Sequence, residues 1–193
     1  MAHAPRILAF AGSLRTGSFN KTLVRVAAEG ARAAGAEVTV LDLRELPMPI
    51  YDADIETEHG IPENGKRLKS LMKEHDALLI STPEYNTSIP GGLKNAIDWA
   101  SRPEPGEREL ACFESKVAGL MSASPGAFGG MRSLLTLRSI LANIRVLVIP
   151  QQLALPRAHE AFGPDGSLLD PKRDAAARAI GAELARVTAK LAG

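Results

Sequence analysis

The stretch that most constrains this chain is Gly12-Ser13-Leu14-Arg15-Thr16-Gly17-Ser18-Phe19-Asn20. It follows an apolar run, Ile7-Leu8-Ala9-Phe10-Ala11, that reads as a buried strand. It precedes Leu23, Val24, Ala27, Ala28 and Ala31, which recur at helical spacing. The loop therefore runs from a strand's carboxyl end into a helix's amino end, where unpaired backbone N–H groups and the positive end of the dipole converge. An anion belongs there. Two glycines allow close backbone approach, Ser13, Thr16 and Ser18 bring hydroxyls, Asn20 an amide, and Arg15 a guanidinium able to grip phosphate with two parallel bonds. The close glycine triplet of a dinucleotide fingerprint is missing, and Gly17 is followed by Ser18-Phe19 where a Walker loop needs Lys-Ser/Thr. What remains is a site for one terminal phosphate. The competing explanation is a Ser/Gly-rich turn, N-capped by Ser18, with no ligand.

The 193 residues suit a single domain, residues 1–193, with a core large enough to need no staples. A net charge of +1 provides no strong field for nucleic acid or an anionic membrane surface. Cys112 is the only cysteine, which excludes internal disulfides and cysteine metal clusters and fits a reducing, cytoplasmic setting. No apolar run approaches the ~18 residues of a membrane span, and the segment after Arg6 is too short for a signal-peptide core.

Taken in order, residues 6–11 read as a strand, roughly 18–34 as a helix ending at Gly35, and 37–43 as a second strand. The following stretch, marked by Pro47, Pro49 and Pro62 and by Asp52, Asp54 and Glu56, reads as a loop. A helix over about 62–75 would bury Leu68, Leu71 and Met72. A third strand covers 76–82, and a helix runs from Pro90 to about Ala100. Residues 102–107 read as a polar surface excursion. A fourth strand covers 116–121, a helix about 129–143, and a fifth strand 145–149, stopped by Pro150. A last helix carries Ile180, Leu184, Val187 and Leu191 on one face. Such alternation gives an α/β fold, a parallel sheet covered on both faces. Ligands of such sheets sit beyond the strands' carboxyl ends, where residues 12–20, 83–89 and 122–130 form three loops rich in Gly, Ser, Pro or Asn.

The second loop, Pro83-Glu84-Tyr85-Asn86-Thr87-Ser88-Ile89-Pro90-Gly91, is stiffened by two prolines. Held backbone donors, an aromatic plane and an amide suit a flat heterocycle with polar edges; a turn in which Tyr85 covers the core is the alternative. In the third, Ser122 to Gly130, small residues leave room beside a ring and Ser124 is placed to bond its edge, unless the stretch is merely flexible before a helix.

Three motifs carry a resemblance. They are Gly12-Ser13-Leu14-Arg15 with Ser18-Phe19-Asn20; Pro83-Glu84-Tyr85-Asn86 with Ser88, Pro90-Gly91 and Leu93-Lys94-Asn95-Ala96-Ile97-Asp98-Trp99; and Gly129-Gly130 with Arg132. Over about residues 6–150 the chain resembles the NADPH-dependent FMN reductases, the flavodoxin-like group of quinone, azo and chromate reductases. The resemblance implies a three-layer α/β/α sandwich with a five-stranded parallel sheet in the order 2-1-3-4-5. It implies FMN, with its phosphate held by Ser13, Arg15, Ser18, Phe19 and Asn20, its ring contacted by Pro83, Glu84, Tyr85 and Asn86, and Ser124 alongside. NADPH or NADH would be the reductant and a small quinone-like molecule the acceptor, with azo compounds, chromate or free flavin as further acceptors.

No Ser-His-Asp or Cys-His set is visible: His3, His59, His75 and His159 lie in unrelated segments, and His59 and His75 read as surface residues. No catalytic acid, base or metal ligand is assigned. Readings without turnover are a flavodoxin-type electron carrier, usually acidic and rich in aromatics around its flavin, and a flavin-based redox sensor. Arg102 is a candidate for the extra phosphate of NADPH, or else a solvated surface charge. On the fourth long helix, Met131, Leu134, Leu135, Leu137, Ile140, Leu141 and Ile144 span an arc of ~220°, wider than the ~100° stripe that one sheet face needs. A homodimer, or the family's tetramer, would cover the excess; burial by the last helix is the alternative.

Overall fold

The computed structural model describes residues 4–192, so His3 lies outside the described residues. In chain order the elements are β1 (Arg6–Ala11), α1 (Phe19–Ala33), β2 (Glu37–Leu41), α2 (Ala53–His59), α3 (Glu63–Glu74), β3 (Ala77–Ser81), α4 (Gly91–Ser101), β4 (Val117–Ala123), α5 (Met131–Asn143), β5 (Leu147–Leu155) and α6 (Pro171–Ala192). The five strands form one parallel sheet in the order β2-β1-β3-β4-β5. The two-residue period of β1 divides the core. Ile7 and Ala9 face α1 and α6, whereas Leu8 and Phe10 face α3, α4 and α5. This is the expected three-layer sandwich.

Four local expectations are corrected. Pro150 does not stop the fifth strand, which continues to Leu155. The register with β4 slips there, from Ala118 opposite Val148 to Leu120 opposite Gln152. An edge strand with a bulge tolerates a residue that has no N–H to donate. The acidic stretch after β2 is not all loop, because Asp52 caps α2 by accepting from the Asp54 N–H; none of that helix is buried. His75 is no surface residue: it is 7% exposed, with Nδ1 2.6 Å from the Leu71 carbonyl and Nε2 2.8 Å from the Thr39 hydroxyl. Leu191, expected on the buried face of α6, is exposed.

The apolar excess of α5 is left open. Leu134, Leu137 and Leu141 are buried against the sheet, while Met131 and Leu135 remain exposed beside Phe128. The last helix does not cover them, because α6 packs on the opposite face of the sheet with α1. The 102–110 excursion also differs from a free surface loop. Lys69, 1% exposed, donates to Glu107 at 2.5 Å and to the Arg102 carbonyl, and Lys73 reaches the same carboxylate at 2.8 Å.

Candidate functional site

Three loops leave the carboxyl ends of β1, β3 and β4 side by side. In the first, the Gly12 N–H donates to the Ser81 carbonyl at 2.9 Å, and a Cβ at Gly12 would lie 2.7 Å from Leu93 Cδ2 and 2.9 Å from Thr82 Oγ1. Only glycine lets the chain turn so close to the neighbouring strand. Ser18 caps α1 by accepting from the Asn20 N–H at 3.2 Å, and no acidic residue neutralises the first turn. Ser13 Oγ accepts from the Arg15 N–H at 3.3 Å. The exposed Arg15 guanidinium lies 5.3 Å from the centroid of the Phe19 ring, which stacks on Phe162 at 6.2 Å. A cation above an aromatic face is held in place without an opposing carboxylate, so Arg15 keeps its charge for an incoming anion.

Asn20 is placed differently from its five-residue motif. Its side chain is buried beneath the loop, where Nδ2 donates to the Ala123 carbonyl at 2.8 Å and Oδ1 accepts from Ser81 Oγ at 2.8 Å and from the Ala123 N–H at 2.9 Å. One amide thus ties the start of α1 to the ends of β3 and β4. It is a brace under the loop, with both functional ends spent inside the fold.

The second loop closes as a two-residue hairpin. The Tyr85 N–H donates to the Ser88 carbonyl at 2.9 Å and the Ser88 N–H to the Tyr85 carbonyl at 3.1 Å, with Asn86 at φ 50° and Thr87 at φ 71°. Both central residues of such a turn need positive φ, which Asn accepts and a β-branched Thr resists. Pro83 is buried, whereas Tyr85, 51% exposed, stands free at the rim. In the third loop the Ser124 backbone is fixed to Leu155 and Ala158, and its hydroxyl accepts from the Gly126 N–H at 3.2 Å.

Glu84, expected beside the ring, lines the cavity and is also tied to Arg132. Its carboxylate accepts from Arg132 Nε at 2.6 Å and from the Arg132 backbone N–H at 3.1 Å, and it also pairs with Nη2. It therefore supplies the missing N-terminal cap of α5 and latches the second loop to the third. Between these loops lies a cavity of about 350 Å³, bordered by Asn86, Thr87, Ser124, Gly126, Phe128 and Arg132.

Two further arginines matter. Arg102 binds Glu56 through Nε at 2.8 Å and lies 5.6 Å from the centroid of the Tyr51 ring, so its charge is already partnered by a carboxylate although its side chain stays 41% exposed. Tyr51 donates to the same carboxylate at 2.9 Å. That bond raises the phenol above its ordinary value; burial works against the Glu56 carboxylate, but bonds from Arg102 and Tyr51 hold it below its usual range. Arg44 follows β2 and donates through Nη1 to Thr16 Oγ1 at 2.8 Å, beside the first loop. Neither the Arg132 latch nor Arg44 was assigned from sequence. Arg132 stands in the third motif, and Arg44 could have been found as the one basic residue in the first turn beyond the carboxyl end of β2.

Residues 5–160 match the family described as NADPH-dependent FMN reductase. The chain is 37% identical over 153 residues to a quinone reductase of Escherichia coli, covering 77% of this chain and 76% of that protein. It is 34% identical over 174 residues to a probable NADPH:quinone oxidoreductase of rice, covering 88% of this chain and 81% of that one. Among solved structures, the flavoenzyme NAD(P)H:(acceptor) oxidoreductase FerB of Paracoccus denitrificans superposes with a TM-score of 0.81 at 30% identity. That match covers 97% of this chain and 98% of the other.

Proposed function

Because the chain belongs to the NADPH-dependent FMN reductase family, we propose that its three carboxyl-end loops hold FMN with the phosphate in the first and the ring between the second and third. The chain is an FMN-dependent NAD(P)H oxidoreductase that reduces small quinone-like or flavin acceptors. The observation that carries the cofactor placement is the acid-free start of α1 under an unopposed Arg15, adjacent to the two loops that flank the 350 Å³ cavity. The donor set fits the group: hydroxyls and a guanidinium for a phosphate, small residues and an exposed Tyr85 for a flat ring.

FMN, when bound, supplies the redox chemistry, accepting a hydride from NAD(P)H and passing two electrons to the acceptor. The reaction balances as NAD(P)H plus quinone plus a proton giving NAD(P)⁺ plus hydroquinone. The protein's part is binding and orientation. Ser13, Arg15 and Ser18 fix the phosphate, Asn20 braces the loop that carries them, Tyr85 packs along the ring, and the latch of Glu84 and Arg132 sets the gap between the ring loops. Reductant and acceptor use the open side in turn, a ping-pong cycle that needs no side-chain acid or base.

We further propose a single cytoplasmic domain that forms a homodimer, with a tetramer as the larger assembly. The exposed Phe128, Met131 and Leu135 support the dimer: Phe128 borders the cavity, Met131 and Leu135 follow it on α5, and among the described residues no helix covers them. Azo compounds and chromate are further candidate acceptors. Purified protein should show the twin visible bands of oxidised flavin and consume NADPH with a quinone and no partner protein. A colourless protein that refuses added FMN would end the reading, and bound FMN without turnover would favour an electron carrier or a redox sensor. Sedimentation as a monomer at micromolar concentration would remove the dimer.

A further inference from the structure

A cleft of about 750 Å³ opens on the β2 side of the first loop. Its floor is where that loop meets α4: Leu14 lies so near Gly92 that a Cβ there would sit 3.1 Å from Leu14 Cδ1. Because α4 directly continues the second loop, the cleft starts where the phosphate loop and a ring loop join. Its outer wall, Pro47 to Ile50, is strapped in place. Asn95 accepts from the Tyr51 N–H at 2.8 Å and donates to the Pro49 carbonyl at 2.9 Å, and the Trp99 indole donates to that carbonyl at 2.8 Å. The wall is apolar and open, with Ile50 84% exposed and Leu14 46%.

The cleft has one charge. Arg44 stands at its rim, oriented by Thr16 through Nη1, and among the described residues its Nε and Nη2 have no partner and no carboxylate pairs with it. The nearby Asp42 is held by Lys21 at 2.6 Å and accepts from the Arg44 backbone N–H; it feels the Arg44 charge through space but makes no ion pair with the guanidinium. No acidic residue lines the space. An apolar slot with a single unpaired guanidinium fits a flat base that carries a phosphate.

Resting on the reductase reading, we propose that this cleft takes the 2′-phosphoadenosine end of NADPH, with Arg44 reading the 2′-phosphate and Leu14, Pro47 and Ile50 packing against the adenine. Arg44, not Arg102, is then the residue that separates NADPH from NADH.

The test uses the FMN-loaded full chain. In calorimetry, adenosine 2′,5′-bisphosphate should bind at least tenfold more tightly than adenosine 5′-monophosphate, and R44A should erase that difference. In steady-state kinetics, the ratio of kcat/KM for NADPH to that for NADH should fall about 10- to 100-fold in R44A, the size of one charge-assisted contact. R44Q, which keeps a donor for Thr16, should give the same loss of ratio and covers the case in which R44A fails to fold or to retain FMN. The proposal is overturned if the ratio moves less than threefold in either folded variant. It is also overturned if the bisphosphate binds no better than the monophosphate, or if I50D turns a dimer into monomers with nucleotide binding untouched, since a second copy then occupies the cleft. Loss of FMN with an unmoved ratio would put Arg44 in the flavin phosphate site, against the proposal. Wild-type protein that oxidises neither coenzyme would refute the reductase reading itself, which the bisphosphate titration does not depend on.

Discussion

Truncating Arg132 to alanine should uncouple the two loops that flank the ring cavity. The Glu84 side chain is 8% exposed; it accepts hydrogen bonds from Arg132 Nε and from the Arg132 backbone N–H, and forms an ion pair with Nη2. Arg132→Ala removes the charged Nε donor and the Nη2 ion pair and leaves the 3.1 Å backbone bond. A hydrogen bond between charged groups contributes about 1.5–3 kcal/mol. Arg132 keeps 53% of its side chain in water, which screens the pair toward the lower end. A nearly buried carboxylate left short of its counter-charge works the other way. The expected net loss is about 1.5–2 kcal/mol, read as a lower urea midpoint of the apoprotein and, where the loops must be re-set to hold the ring, as roughly tenfold weaker FMN binding. Fluorescence titration of apoprotein with FMN measures the second effect. Arg132→Lys restores charge but not the two-pronged geometry, so it should recover only part of each loss. The decisive measurement is a double-mutant cycle with Glu84→Gln: coupling of about 1 kcal/mol or more is expected between groups in contact. Additive effects, or FMN affinity within twofold of wild type in a folded Arg132→Ala protein, would refute the latch.

Arg15→Ala should weaken FMN binding about ten- to a hundred-fold by removing one charge-assisted phosphate contact, and unchanged flavin retention on dilution would show that the guanidinium serves another purpose. Burial works against the Glu107 carboxylate, but hydrogen bonds from Lys69 and Lys73 outweigh it and hold its pKa down from 4.5 to about 2. The folded form thus gains stability from the ionised group above about pH 4.5 and loses it as pH falls toward 2. Urea midpoints should drop through that window in wild type, and Glu107→Gln should flatten the dependence there. Gly181→Ala places a Cβ 1.9 Å from the Ala27 carbonyl oxygen where α6 crosses α1. Such overpacking should cost about 1–3 kcal/mol in urea unfolding, and a variant as stable as wild type would mean that the helices separate freely.

What the sequence revealed was local. Strand β1, the helix behind it and the turn between them follow from a run of apolar residues, a serine cap and two glycines within a few positions of one another. Even the unfilled face of α5 was legible, because helical spacing alone counts its apolar residues. What stayed hidden was pairing across distance. Nothing adjacent to Arg102 announces Glu56, 46 positions away, and nothing near Arg132 announces Glu84, 48 away. A charged residue in a loop has the same local signature whether it is solvated, bound to ligand or locked to a partner. Pro150 misled for the opposite reason. Its local chemistry ends most strands, and only its place on the sheet's edge makes it harmless.

The placement of the Asn20 side chain bears on how the site works. A phosphate loop built from flexible side-chain donors would have to order them on binding, at about 0.5–1.5 kcal/mol for each side chain immobilised. Here the amide of Asn20 is bonded in advance to β3 and β4, the Glu84 carboxylate to α5, and the second hairpin is closed by its own backbone. The groups left free to meet a ligand are short hydroxyls, backbone N–H groups and one guanidinium resting on an aromatic ring. The ordering cost is therefore met largely in folding the chain. Asn20→Ala should accordingly lower stability and FMN affinity together, whereas Arg15→Ala should lower affinity alone; equal loss of folding stability in both would refute the division between brace and contact.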